Sequence, residues 1–184
     1  TDPGMRLAVR LMVALAPACQ QVEPRLWSVV VPMLAGLMLR HGQLPAVGFS
    51  HPALGGLLIW AERDFATALA FTDLARRLMA QTFTSTPDQS LFQVTSGASM
   101  RHWTDHMARA RDDFAAAQSA AVRSGLLVQA AVARGHEAYT RFYEGAPLAD
   151  LAGWAERAVA EVRVDGWARE VMVATQLVAL DLSG

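Results

Sequence analysis

His102 and His106 stand four positions apart, beside Trp103 and Met107. On one helix that spacing sets both imidazoles on one face, able to offer nitrogen ligands to a single metal ion, with His136 or Asp113 as further ligands. The pair lacks the glutamate that follows the first histidine in metalloprotease helices, and both residues border an apolar seam. Packing or a surface position accounts for them far more simply, so they stand only as weak metal candidates and no metal or cofactor is expected. Ser50-His51 has the types of a nucleophile and a base. Neighbours in sequence do not face each other on a helix, however, and no strand-to-helix elbow surrounds them. Asp112-Asp113 offers two carboxylates that point about 100° apart on a helix, which is the pattern of a solvated face. Gly55-Gly56 lies in an apolar run without the lysine of a phosphate loop, and reads as a close helix contact. These residues supply no convergent acid, base and nucleophile, so no catalytic site is expected.

Five tryptophans and eight methionines give the chain its large apolar side chains. Trp27, Met33, Met38 and Trp60 flank the prolines Pro32 and Pro52, where kinked helices would leave room for an apolar ligand pocket. Trp154 sits at the edge of its helix's apolar stripe, the position of an interface anchor.

The elements that must position these residues are helices. Valines seldom alternate with polar residues, and apolar residues recur at three and four. Trp103, Met107, Ala110, Phe114, Ala117 and Ala121 share one side of a helix expected over 103–123, with Asp105 and Arg109 paired on the other. Ser124-Gly125 ends it. Helices follow over 126–144, closed by Gly145, then from Pro147 through Val162, and from Gly166 to Leu182. Upstream, helices are expected over 2–19, 24–41, 45–62 and 64–83. Phe83 to Ser90 reads as a loop, and 91–101 as a further helix. Short connections favour antiparallel hairpins. Asp64-Phe65-Ala66-Thr67-Ala68 returns as Asp113-Phe114-Ala115-Ala116-Ala117, a weak internal repeat. The fold class is therefore all-α: antiparallel helical hairpins stacked as an irregular, tetratricopeptide-like α-solenoid. One helical-repeat domain spans 1–184, with first hairpins in 1–83 and a second set in 88–184.

Composition narrows the function classes. The 184 residues are 53% hydrophobic, enough for a buried core, and the net charge of -1 gives no pull toward nucleic acid or an anionic membrane. Every basic residue is arginine, asparagine is absent, and one isoleucine stands against 34 alanines, the mark of a GC-rich bacterial gene. The lone Cys19 makes no intrachain disulfide, which suits the cytoplasm. The apolar run from Leu26 to Leu39 is shorter than the roughly 20 residues of a bilayer span. With no initiator Met and no signal peptide at its start, the chain reads as a segment of a longer protein.

The order of several short motifs resembles one family. Arg40-His41-Gly42 comes first, then Asp64-Phe65 with Leu74-Ala75-Arg76-Arg77-Leu78, His102-Trp103, Phe114 with Ala116-Ala117 and Ser124-Gly125, and finally Glu144-Gly145-Ala146-Pro147-Leu148. Together they resemble the tetratricopeptide-like helical region of large bacterial signalling ATPases. There a kinase-like domain and an AAA-type, STAND-like nucleotide-binding domain precede the helices, and GAF and histidine-kinase domains often follow. The resemblance implies an ATP site before Thr1 and a phosphoacceptor histidine after Gly184. No phosphorylation motif surrounds His102, His106 or His136.

The expected role is a non-catalytic scaffold for protein–protein interaction and signal transmission, whose partners are adjacent domains of a parent ATPase or kinase or another protein. The alternative is a helical effector sensor using the apolar pocket of Trp27, Met33, Met38 and Trp60. An all-α enzyme ranks third.

Overall fold

The structure is a computed structural model and describes residues 2–41, 47–82 and 86–184. Among the described residues every regular element is helical and there is no strand. The chain forms two compact units, Thr1–Met100 and Arg101–Gly184.

The first unit contains α1 (Pro3–Val22), α2 (Pro24–His41), α3 (Val47–Glu62), α4 (Phe65–Thr82) and α5 (Thr86–Ser96). Asp2 opens α1 by accepting the Met5 amide at 3.1 Å, and a proline fills the first turn where its missing N–H costs nothing. Pro32 and Pro52 lie inside α2 and α3. α3 is apolar on all sides, as a helix covered all round must be, and α2, α4 and α5 pack on it. Val9, Val31, Leu34, Met38 and Phe49 form the largest buried cluster. A β-carbon at Gly55 would meet the Ala68 carbonyl oxygen and Met100 Sδ at 3.0 Å, and one at Gly56 would meet Ser99 Cβ at 2.9 Å. The two glycines thus let α4 and the chain after α5 approach α3.

Two local expectations change here. Residues 86–90, read as loop, form the first turns of α5, while 83–85 lie outside the described residues. Pro87 and Asp88 are helix openers there, a proline in the first turn and an acid near the helix's positive end. The helix expected over 91–101 holds through Ser96 and then widens to a π turn over Gly97–Arg101. α5 packs on α3 within the first unit.

The second unit contains α6 (His102–Thr104), α7 (Met107–Arg123), α8 (Leu127–Tyr143), α9 (Leu148–Glu161) and α10 (Trp167–Ser183). The single helix expected over 103–123 is broken. Asp105 is extended and its Oδ1 accepts the His106 amide at 2.9 Å, after which His106 caps α7 by accepting the Ala108 amide on Nδ1 at 3.2 Å. Short polar side chains that satisfy nearby amides compete with helix in this way.

The following turns are as the sequence suggests. Gly125 and Gly145 are left-handed, with φ of 71° and 75°. In the first, the Leu126 amide donates to Ala121 and that of Gly125 to Val122; in the second, Ala146 donates to Arg141 and Gly145 to Phe142. Both are the paired closure that ends a helix on glycine. α7 packs on α8 and α9 on α10, and α10 also covers α8, leaving α9 only lightly against α8. Ala138, Ala158, Val171 and Met172 form the core between them. Gly135 permits this approach, since a β-carbon there would lie 3.1 Å from both Ala168 Cα and Trp167 Cζ3.

Candidate functional site

The break at Asp105 removes the shared helix face on which a His102–His106 metal pair depended. His102 instead tilts against Trp103 with ring centroids 4.8 Å apart, and His106 is committed to its cap. Neither proposed additional ligand joins them. His136 stacks on Phe114 at 5.3 Å and leans on Trp167 at 5.0 Å, and burial lowers its pKa to about 4. Asp113 is held by Arg101, through Nε at 2.7 Å and Nη2 at 3.3 Å. Among the described residues no group of three or more metal-ligating side chains converges.

Ser50 and His51, adjacent on α3, do meet: Ser50 Oγ lies 3.0 Å from His51 Nδ1. The expectation that neighbours would not face each other was too strict, because a short hydroxyl can fold back toward the next side chain. Both residues are fully buried, Phe71 meets the imidazole edge-on, and His51 Nε2 has no hydrogen-bond partner among the described residues. Burial lowers the His51 pKa to about 4, so the ring is neutral near pH 7. The pair is enclosed in the first unit's core, away from any substrate in solvent.

The four residues assigned to an apolar pocket differ in burial. Met38 is buried and Trp27 packs edge-on against Phe49 in the same core, whereas Met33 is 55% exposed and Trp60 79% exposed.

Trp154 is half-buried in the second unit, beneath a charged cluster that the sequence reading passed over. Arg134, Glu137 and Arg141 follow one another at steps of three and four, so α8 places them on one face. Glu137 is 2% exposed. Its Oε1 accepts from Arg141 Nε at 3.0 Å and Nη2 at 2.8 Å, and its Oε2 accepts from Arg134 Nη1 at 3.0 Å. Arg134 Nη2 reaches Glu161 at 2.8 Å, linking α8 to the end of α9. The guanidinium carbons of Arg141 and Arg134 lie 4.8 and 5.7 Å from the Trp154 ring centroid, within cation–π range. Burial opposes the charge on Arg134, but the bonds to Glu137 and Glu161 outweigh it and raise its pKa. The spacing of three charges on a face otherwise rich in alanine was the available signal. A buried carboxylate persists only when it is paired and hydrogen-bonded, as here.

Two concavities adjoin α8. A cleft of about 360 Å³ opens between α7, α8 and residues 161–164, with Val122, Leu127, Val162 and Val164 as apolar wall and Arg134, Glu161 and Arg163 as charged wall. α9, whose end forms one side of it, packs mainly on α10 and only lightly on α8. Arg134 Nε is buried behind it without an acceptor among the described residues, a state that costs about 1–3 kcal/mol for a typical donor. The second concavity is an open groove of about 210 Å³ along α8 and α10, lined by Tyr139, Phe142, Tyr143, Val171 and Val178 among others. Tyr143 is 71% exposed, and Tyr139, Phe142 and Val178 also face solvent.

No protein-family model, curated protein or solved structure matches the chain.

Proposed function

We propose that the chain is a non-catalytic helical scaffold, an irregular tetratricopeptide-like array that receives a partner protein. The aromatic groove of α8 and α10 carries this reading. Tyrosine and phenylalanine are enriched where proteins meet, since each buries a large rigid surface at small entropic cost, and three of them line one groove here. The occupant that suits a shallow apolar groove between two helices is the apolar face of a third helix. On the resemblance described above, that helix comes from an adjacent domain of a cytoplasmic bacterial signalling ATPase or kinase, and a change in its packing is the transmitted signal. The Ser50–His51 pair is accounted for by burial in the first unit's core, and His102 and His106 by a ring contact and a helix cap.

The test is photo-cross-linking in the producing cells, with benzoylphenylalanine at position 143 and, as control, at exposed Glu156. Cross-links from position 143 to one recurrent helical segment are expected. Cross-links no more frequent or specific than those from position 156 would overturn the reading.

A further inference from the structure

α1 carries two seams of heptad spacing, set about 100° apart round the helix. Met5, Val9, Met12, Ala16 and Cys19, at steps of four and three, form the inward seam; Val9 and Ala16 are fully buried in it, and α1 packs on α2. Gly4, Ala8, Leu11, Leu15, Ala18 and Val22 repeat those steps in the second seam, and all six are exposed, Leu11 by 55%, Leu15 by 58% and Val22 by 85%. A seam that recurs every 3.5 residues is the form in which one helix packs along another. The charged residues of α1, Arg6 and Arg10, stand about 160° and 120° round the helix from the middle of the exposed seam. No charge therefore interrupts it over the roughly 27 Å from Gly4 to Val22.

We propose that α1 pairs along this seam with the α1 of a second copy of the chain, the two helices antiparallel about a two-fold axis. Such an axis brings a surface against itself, so it requires a self-complementary patch. The seam meets that requirement in the order of its residues as well as in its polarity, since alanine, leucine, leucine, alanine reads the same from either end. In the antiparallel pair Leu11 of one copy lies level with Leu15 of the other, Ala8 with Ala18, and Gly4, which has no side chain, with the larger Val22. A parallel pair would set Gly4 against Gly4, a void in an otherwise close-packed seam, and Arg10 level with Arg10. The antiparallel pair separates the two Arg10 positions by about 9 Å along the axis. α1 is already held by α2, so pairing orders no new helix and the cost of association is correspondingly small. The interface belongs to the first unit and is independent of what occupies the aromatic groove.

The test is sedimentation equilibrium of the full chain at micromolar concentrations, repeated on Leu11→Glu, Leu15→Glu and, as control, Leu177→Glu on α10. All three leucines are exposed, and circular dichroism checks that the variants keep their helix content. A dimer is expected, with a Kd that rises at least tenfold in each α1 variant, where an unpaired carboxylate enters the seam, and stays unchanged in the control. Oxidation of Ala8→Cys and Ala18→Cys chains, each in a Cys19→Ser background, reads the register without adding a charge. Disulfide-linked dimers are expected from the mixture and not from either chain alone, because like positions lie about 15 Å apart along the axis, beyond the reach of a disulfide. A chain that stays monomeric, an open-ended polymer, a dimer unweakened by either α1 substitution or lost in the control, or cross-linking of one chain alone as readily as of the mixture would each overturn the proposal. So would a monomer that co-sediments with phosphatidylglycerol vesicles, which would give the seam to a lipid surface.

Discussion

Glu137 shows what a single residue contributes to this chain. Removing it leaves Arg134 and Arg141 facing each other over Trp154 without their shared counter-charge. Breaking a buried ion pair from one side typically costs about 3–5 kcal/mol. Glu137→Ala should therefore lower the unfolding free energy by about 3 kcal/mol in urea denaturation, and a loss below about 1 kcal/mol would show the clamp to be energetically idle. His51 makes a second residue-scale prediction. Its folded pKa of about 4 lies below the ordinary histidine value of 6.5, so between those values the unfolded chain binds the extra proton. Its contribution to stability is thus full above about pH 6.5 and is lost as pH falls toward 4, amounting to about 3 kcal/mol over that window. Unfolding free energies measured at pH 7 and 4.5 should differ less in His51→Gln than in the parent chain.

At the scale of elements, the all-α character was legible because apolar spacing at three and four runs through most segments. The two glycine closures, at Gly125 and Gly145, were legible too, since a left-handed position has few other occupants. The break at Asp105–His106 was not. The apolar seam from Trp103 to Ala121 continues across it, and periodicity is blind to a side chain that captures a neighbouring amide. The α5 start was missed for a related reason: a Thr-Pro-Asp sequence opens a helix or a turn with the same residues. The candidate site was less legible than the fold. Trp154 stood out by type, but the arginines above it belong to another helix, and their approach depends on how α8 and α9 cross. Gly135 governs the contact of α8 with α10. Gly135→Val should force Trp167 and Ala168 away and lower the thermal midpoint, at a cost of about 1–3 kcal/mol as overpacked contacts usually do. An unchanged midpoint would mean that α10 yields freely.

At the scale of the whole molecule, part of the exposed apolar surface is organised. Leu7, Leu11 and Leu15 project from α1 at intervals of four, Trp60 projects from the end of α3, and the aromatic groove follows α8 and α10. Large exposed apolar stripes suit a part that works against other surfaces. Among the described residues no helix is long and apolar enough to cross a membrane. The proposed scaffold concentrates its binding energy in the groove, where Tyr143 is the most exposed aromatic side chain. The most direct measurement takes the helical segment recovered by cross-linking at position 143, as a synthetic peptide, and determines its Kd for the parent chain and for Tyr143→Ala. An anchor residue carries more than about 1.4 kcal/mol, so the account predicts at least a tenfold rise in Kd with no change in thermal midpoint. Equal affinity in the two chains would contradict it.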